Sequence, residues 1–223
     1  MENLSILTSP SVGVGTEVTK NKANSLSFSS TSPSEKNSTN IRIRPMTLQD
    51  IDSCTYDIQK AVFPEDLQES TIPYLHRFNS YPAGCFIAEK LKISSSLISD
   101  TPTLQYEIVG YGQSHPWIGD HHPNVNVPED QLEPIPSHGT PSEGYYYFLF
   151  DISTKLKRQG IGELLYTTIL QHIIEKGYKE IRLVAVRGAH TYWARYGFEI
   201  LHIIPPNHGY GNEPAIFMRK YLE

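Results

Sequence analysis

The stretch Lys157-Arg158-Gln159-Gly160-Ile161-Gly162 decides how the rest of the chain is read. Before it runs Tyr145-Tyr146-Tyr147-Phe148-Leu149-Phe150-Asp151-Ile152, an apolar segment without polar alternation, as in a strand covered on both faces. After it comes an amphipathic stretch from Glu163 to Lys176, where Leu164, Leu165, Ile169 and Ile173, with Ile161 of the turn, share one helical stripe that stops at Gly177. A basic, glycine-bearing turn between a buried strand and a helix start suits a diphosphate. The first helical N–H groups lack intrahelical partners, the helix dipole adds partial positive charge, and residues without Cβ let phosphate oxygens approach. Taken alone, a Gly-x-Gly pair serves equally well as an ordinary strand-to-helix turn, so its surroundings decide.

Those surroundings are regular. Ile41-Arg42-Ile43-Arg44-Pro45 alternates as a short strand, and Thr47 with Asp50 reads as a helix start. Ile51, Tyr56, Ile58 and Val62 carry that helix to Phe63-Pro64, and a second helical segment spans roughly Asp66 to Phe78, with Pro73 predicting a break inside it. Cys85 to Ala88 and Tyr106 to Tyr111 read as two strands joined by a Ser-rich loop. A long, proline-studded insertion covers 118–144. Ile181 to Val186 is a further buried strand, Thr191 to Tyr196 a short helix closed by Gly197, and Phe198 to Ile204 and Ala215 to Arg219 the last strands. The order is strand, two helices, three strands, helix, strand, helix, two strands, which is α/β (α+β) with a mixed sheet.

The 223 residues suit one domain with an appendage. Residues 1–40, dense in Ser, Thr and Asn, are expected to form a disordered tail, and 41–223 the folded domain. A net charge of −5 gives no basic footprint for nucleic acid. No stretch approaches the ~18 apolar residues of a membrane helix, so a membrane partner is not expected. Cys54 and Cys85 have no metal-type spacing and read as core thiols of a reducing compartment. His121, His122 and His138 lie in the insertion without a paired ligand spacing, so no metal is expected. With three acidic residues and no arginine among residues 1–40, the N-terminus has neither a signal-peptide nor a presequence build, and the expected compartment is the cytoplasm, the nucleus also being open to the protein.

With that element order in hand, residues 41 to 223 resemble the GNAT-type acyl-CoA N-acyltransferases. Ile43 to Asp50 looks like the family's first strand and helix cap. Lys157 to Gly162 resembles its Gln/Arg-x-x-Gly-x-Gly/Ala diphosphate turn, and Tyr192-Trp193-Ala194-Arg195-Tyr196-Gly197-Phe198 the end of its fourth helix. Ala61 to Asp66, His115-Pro116-Trp117, Val184 to Gly188 and Tyr210-Gly211 are similar to arylalkylamine N-acetyltransferases and a related microbial group. The resemblance implies one mixed, mostly antiparallel sheet of six to seven strands, helices on both faces and splayed central strands. It implies acetyl-CoA as co-substrate, with Phe150, Asp151 and Ile152 offering main chain to pantetheine. Lys157, Arg158, Gln159, Gly160, Ile161 and Gly162 would hold the diphosphate, with Trp193 beside the donor.

The departures fall on the proton-transfer positions. Lys157 replaces a forked side chain with a point charge, and Val186 stands where many members carry asparagine. Trp193 occupies the place of the family's tyrosine acid, and its indole N–H only donates. Tyr146 and Phe148 stand where animal arylalkylamine enzymes carry paired histidines. His115, before Pro-Trp and the long loop, is the preferred base, a loop anchor being equally open. Tyr146 is a second proton-transfer candidate, whereas Tyr192 reads as core. Trp117 and Tyr147 are candidates to line an amine pocket. The expected function is acetyl transfer to the primary amine of a small molecule, arylalkylamine or polyamine, in a ternary complex, by a monomer or homodimer. A protein or peptide amine, or acyl-CoA binding without turnover, are the alternatives.

Overall fold

The structure, a computed structural model, describes residues 40–96, 99–137 and 144–223; the expected tail, but for Asn40, and His138 lie outside those residues. Seven strands form one sheet: β1 (Ile41–Pro45), β2 (Cys85–Ser96), β3 (Ser99–Ile118), β4 (Tyr145–Thr154), β5 (Glu180–Ala185), β6 (Glu199–Ile204) and β7 (Ala215–Tyr221), in spatial order β1-β2-β3-β4-β5-β7-β6. Every neighbouring pair is antiparallel except β4 and β5. That parallel pair needs a crossover, and α3 (Ile161–Glu175) supplies it. α3 lays Ile161, Leu165, Tyr166, Ile169 and Ile173 onto one face of the sheet. Leu164, expected on the same stripe, is 41% exposed.

The opposite face is covered by the first helical stretch and by α2 (Thr71–Ser80). The first stretch is not one α-helix: a 3₁₀ turn, Leu48–Asp50, leads into a π-helix, Ser53–Gln59, and then a single α-turn, α1 (Lys60–Val62). The wider π turn buries Cys54, Thr55, Ile58 and Gln59 together. Tyr56, expected inside, points outward at 54% exposure. Pro73 makes no break in α2, because it is the third helical residue and the N–H it lacks would have had no intrahelical partner.

The strands run further than the sequence suggests. β2 and β3 continue pairing past Glu89↔Ile108 to Ser94↔Thr103, where the polar composition reads as loop but suits a solvated ribbon. β3 also runs through His115-Pro116-Trp117. Pro116 is tolerated because β2 pairing ends at Cys85↔Gln113, so its missing N–H falls on an unpaired edge. Among the described residues, no helix is long and apolar enough to cross a membrane.

Candidate functional site

β4 and β5 pair only at Tyr147↔Ile181 and Phe148↔Arg182, and then they part. Past that point β4 is bonded to β3 on its far side and β5 to β7 on its own far side. The main-chain groups that face each other across the gap have no strand to satisfy them, and an extended ligand with its own amides can fill that role. The gap holds a cavity of about 460 Å³ lined by Leu149 to Thr154 on one wall and Leu183 to Arg187 on the other. A second cavity of about 540 Å³ continues it to the start of α3, and the two share Ile152, Thr154, Ala189 and Trp193. A third, of about 280 Å³, adjoins the first at Leu67, Val186, Arg187 and Tyr210 and is rimmed by Asp66 and Glu213.

The turn that closes the second cavity is held from three directions. Lys155 N–H donates to Val109 O at 3.0 Å, Leu156 N–H to Thr154 Oγ1 at 3.2 Å, and Lys90 Nζ to Gln159 Oε1 at 3.1 Å. Arg158 has φ 60° and Gly160 caps the helix in a left-handed conformation, φ 73° and ψ 4°. The helix ladder begins with Leu164 N–H donating to Gly160 O at 3.0 Å, so the N–H groups of Ile161, Gly162 and Glu163 are left for a ligand. Gly162 is more telling than Gly160. Its φ is not positive, and a Cβ there would meet nothing nearer than Tyr192 Oη at 3.8 Å, so the fold itself has no need of glycine. The vacant position opens onto the cavity, as close approach of a phosphate requires.

A β-bulge arranges the other side of the first cavity. Ser114 pairs with Leu149 but Gln113 with Asp151, so Phe150 is an extra residue on β4. Tyr147 and Leu149 face α3, whereas Asp151, two residues on, faces the helical stretches on the opposite face. There Tyr111 Oη donates to Asp151 Oδ2, and Ser153 Oγ to Oδ1 at 2.8 Å. Tyr111 and Tyr74 hydroxyls are 2.6 Å apart. Burial pushes the Asp151 carboxyl up to about 6, against the opposing pull of the Tyr111 and Ser153 hydrogen bonds. Alongside, Arg77 Nη2 meets Glu69 Oε2 at 2.5 Å and Arg77 Nε donates to Gln113 Oε1 at 2.8 Å, all three residues being buried. Arg77 also lies over the Phe150 ring at 3.7 Å. Glu69, Tyr74, Gln59 and Tyr210 join Asp151 as cavity lining. Of these the sequence marked Asp151 and, through the Tyr210-Gly211 resemblance, Tyr210; the others reach the cleft through the packing of distant elements.

The structure brings Phe150, Asp151, Ile152 and Trp193 into the first cavity, and Arg158, Gln159, Gly160, Ile161 and Gly162 into the second. Lys157 is exposed and lines neither. Tyr192, expected as core, lines the second cavity and donates to Tyr196 Oη at 3.2 Å. His115 does not line the first cavity: it is buried against Trp117 and Phe148 and lines a small void of about 30 Å³ on the other side of Phe150. Burial pushes its imidazole down to about 3, so it stays neutral and takes up no proton near neutrality. Tyr146 donates to His121 O at 2.6 Å under the Arg182 guanidinium, and burial raises its hydroxyl. Trp117 Nε1 donates to the same carbonyl at 3.2 Å, so the two anchor the insertion and do not line the cleft. Tyr147 is fully buried on the α3 side. His121 pairs with Glu133 at 2.7 Å and His122 packs on Tyr210 and Phe217.

No protein-family model matches the chain, and no curated protein matches its sequence. Solved structures do match it in fold. Ard1 from Thermoplasma volcanium superposes with a TM-score of 0.56 at 15% identity, over 83% of this chain and 99% of that one. Arabidopsis thaliana Naa50, in complex with the bisubstrate analogue CoA-Ac-MVNAL, gives 0.55 at 12%, over 82% and 100%. A chain of the NatC complex, bound to Gag peptide and CoA, gives 0.54 at 16%, over 83% and 100%. The fold is that of the GNAT N-acetyltransferases.

Proposed function

We propose that this protein is an acetyl-CoA-dependent N-acetyltransferase acting on a primary amine by direct attack in a ternary complex. The observation that carries this reading is the pairing of β4 and β5 over only two residues, which opens a cleft leading to three free N–H groups at the start of α3. Pantetheine extended along β4 satisfies its unpaired edge, and the diphosphate sits at the α3 N-terminus with Arg158 nearby. Holding both reactants in line supplies much of the acceleration. No hydroxyl stands at Trp193, so the thiolate leaves without that acid, which a thiol of ordinary pKa about 8.5 permits.

For the acceptor we favour a protein or peptide amine. The Naa50 and NatC structures carry peptide or peptide-like ligands. In this chain the cavity rimmed by Asp66 and Glu213 continues the cleft outward on the side away from the α3 turn, giving an extended acceptor somewhere to lie. A small cationic amine, arylalkylamine or polyamine, is the second reading. It is favoured by Asp66 accepting Asn212 N–H at 2.8 Å and Val125 N–H donating to Gly209 O at 3.1 Å, which tie the β6–β7 connection down over the cleft.

A thiol-release assay with purified protein, acetyl-CoA, a panel of amines and a panel of peptides with free N-termini tests all of this. Turnover confined to peptides supports the first acceptor, and turnover confined to amines the second. Thermal stabilisation by CoA with no turnover on either panel leaves a binding module and defeats the enzyme reading.

A further inference from the structure

Where the β4 bulge turns the chain over, the cleft is lined by an acidic residue, Asp151, that the usual proton-transfer positions do not account for. Asp151 lines the first cavity between Phe150, whose residue offers main chain to the donor, and the acceptor side formed by Gln59, Glu69 and Tyr74. We propose that Asp151 is the proton acceptor for the incoming ammonium, held in place by the hydroxyls of Tyr111 and Ser153. This inference rests on the transferase reading above.

The hydrogen-bond directions are fixed. Tyr111 gives its one hydroxyl proton to Asp151, so the 2.6 Å contact behind it is donated by Tyr74. Both carboxylate oxygens keep a lone pair after accepting from Tyr111 and Ser153, so the group can accept from a third donor in the cavity. The charges around it are accounted for. From α2, Tyr74 and Arg77 face it; from the segment before α2, Glu69; from β3, Tyr111 and Gln113; and from the π-helix, Cys54. Glu69 is not a competing base, because Arg77 holds it in an ion pair and Asn126 N–H donates to it at 3.1 Å. Asp151 has no cation in ion-pair contact among the described residues, and burial pushes its carboxyl up to about 6. A base whose pKa lies near the working pH is ionised often enough and still binds a proton well.

The step balances as follows. One N–H proton of the ammonium passes to an Asp151 oxygen, leaving a neutral amine with a free electron pair. That pair forms the N–C bond at the thioester carbonyl carbon. The C–S bond breaks, its electrons leave on sulfur, and the second nitrogen proton goes to the thiolate, giving amide and free thiol. Asp151 then returns its proton to solvent.

The test uses the full chain, acetyl-CoA and whichever acceptor the panels identify. Asp151→Asn should keep the thermal shift produced by CoA, lose about 10²- to 10⁴-fold in kcat/KM, and lack the acid limb expected near pH 6 in the wild-type protein. Tyr111→Phe and Ser153→Ala each remove a donor that favours the ionised carboxylate. Both should stay active with the acid limb moved to higher pH, which a merely structural role would not produce. Wild-type turnover with an unaltered rate and pH profile in Asp151→Asn overturns the assignment while leaving the transferase intact. No wild-type turnover on any acceptor, with CoA still bound, removes the transferase reading and the base together.

Discussion

Replacing Gly162 with alanine separates the needs of the fold from those of the ligand. In the protein alone the substitution is harmless. The backbone there is helical, and the added Cβ has only Tyr192 Oη within 4 Å, at 3.8 Å. Alanine in place of helical glycine is worth about 0.5–1 kcal/mol to the folded state. For a chain of this size, ~1 kcal/mol raises the melting temperature by about 2–4 °C. Toward CoA the sign reverses. The new methyl occupies the space over the Ile161, Gly162 and Glu163 N–H groups where a phosphate would lie. Withdrawing the phosphate by the width of that methyl forfeits one charge-assisted hydrogen bond, worth about 1.5–3 kcal/mol. CoA should therefore bind about 10- to 100-fold more weakly to a protein that melts slightly higher. Differential scanning fluorimetry of the free protein and calorimetric titration with CoA measure the two halves. Gly160→Ala is the contrasting control, since its φ of 73° makes alanine cost about 1–2 kcal/mol in the free protein. Unchanged CoA affinity in Gly162→Ala would refute the placement of the diphosphate at this turn.

Asp151 should make stability depend on pH. Its carboxyl is raised from an ordinary 3.8 to about 6, so the folded state binds more protons than the unfolded one between those values and stability falls as pH rises through them. Relative to Asp151→Asn, the wild-type protein should lose about 3 kcal/mol from pH 3.5 to pH 7, read from urea unfolding at each pH; parallel curves for the two proteins would contradict the burial of that charge. Arg77→Met leaves Glu69 charged and buried without its partner, with both side chains at 5% exposure or less, and should cost about 3–5 kcal/mol; a loss under about 1 kcal/mol would show that the pair is solvated. His115→Gln should leave the acid limb of kcat/KM where it is, since His115 is outside the cleft and already neutral; a displaced limb would return it to the proton pathway.

How far the sequence leads can be seen by following β4 from one end to the other. The phosphate turn is legible because its parts are local: a strand end, two glycines and a helix start lie within a few residues, and their geometry follows from short-range rules. The apolar run before it is legible as a central strand for the same reason. What composition cannot carry is the register. That β4 and β5 pair over two residues and then part is a property of two segments some thirty positions apart, and the resemblance alone suggested it. The π-helix is hidden in a similar way, since Cys54 and Gln59 come to share a buried face only when the turn widens. Asp151 shows most plainly what is lost. Strict alternation along β4 puts it beside Tyr147 and Leu149, facing α3, where a carboxylate has no work and only its main chain counts. One extra residue at Phe150 reverses the alternation, and the side chain goes instead to Tyr111 and Ser153, on the face of the helical stretches. His115 stands apart from the cleft for the converse reason. Its place before Pro-Trp and the long insertion suggests a position open to an acceptor, but β3 continues through it and seals it inside. Residue type alone therefore points to histidine, while the backbone brings an aspartate to the lining of the cleft.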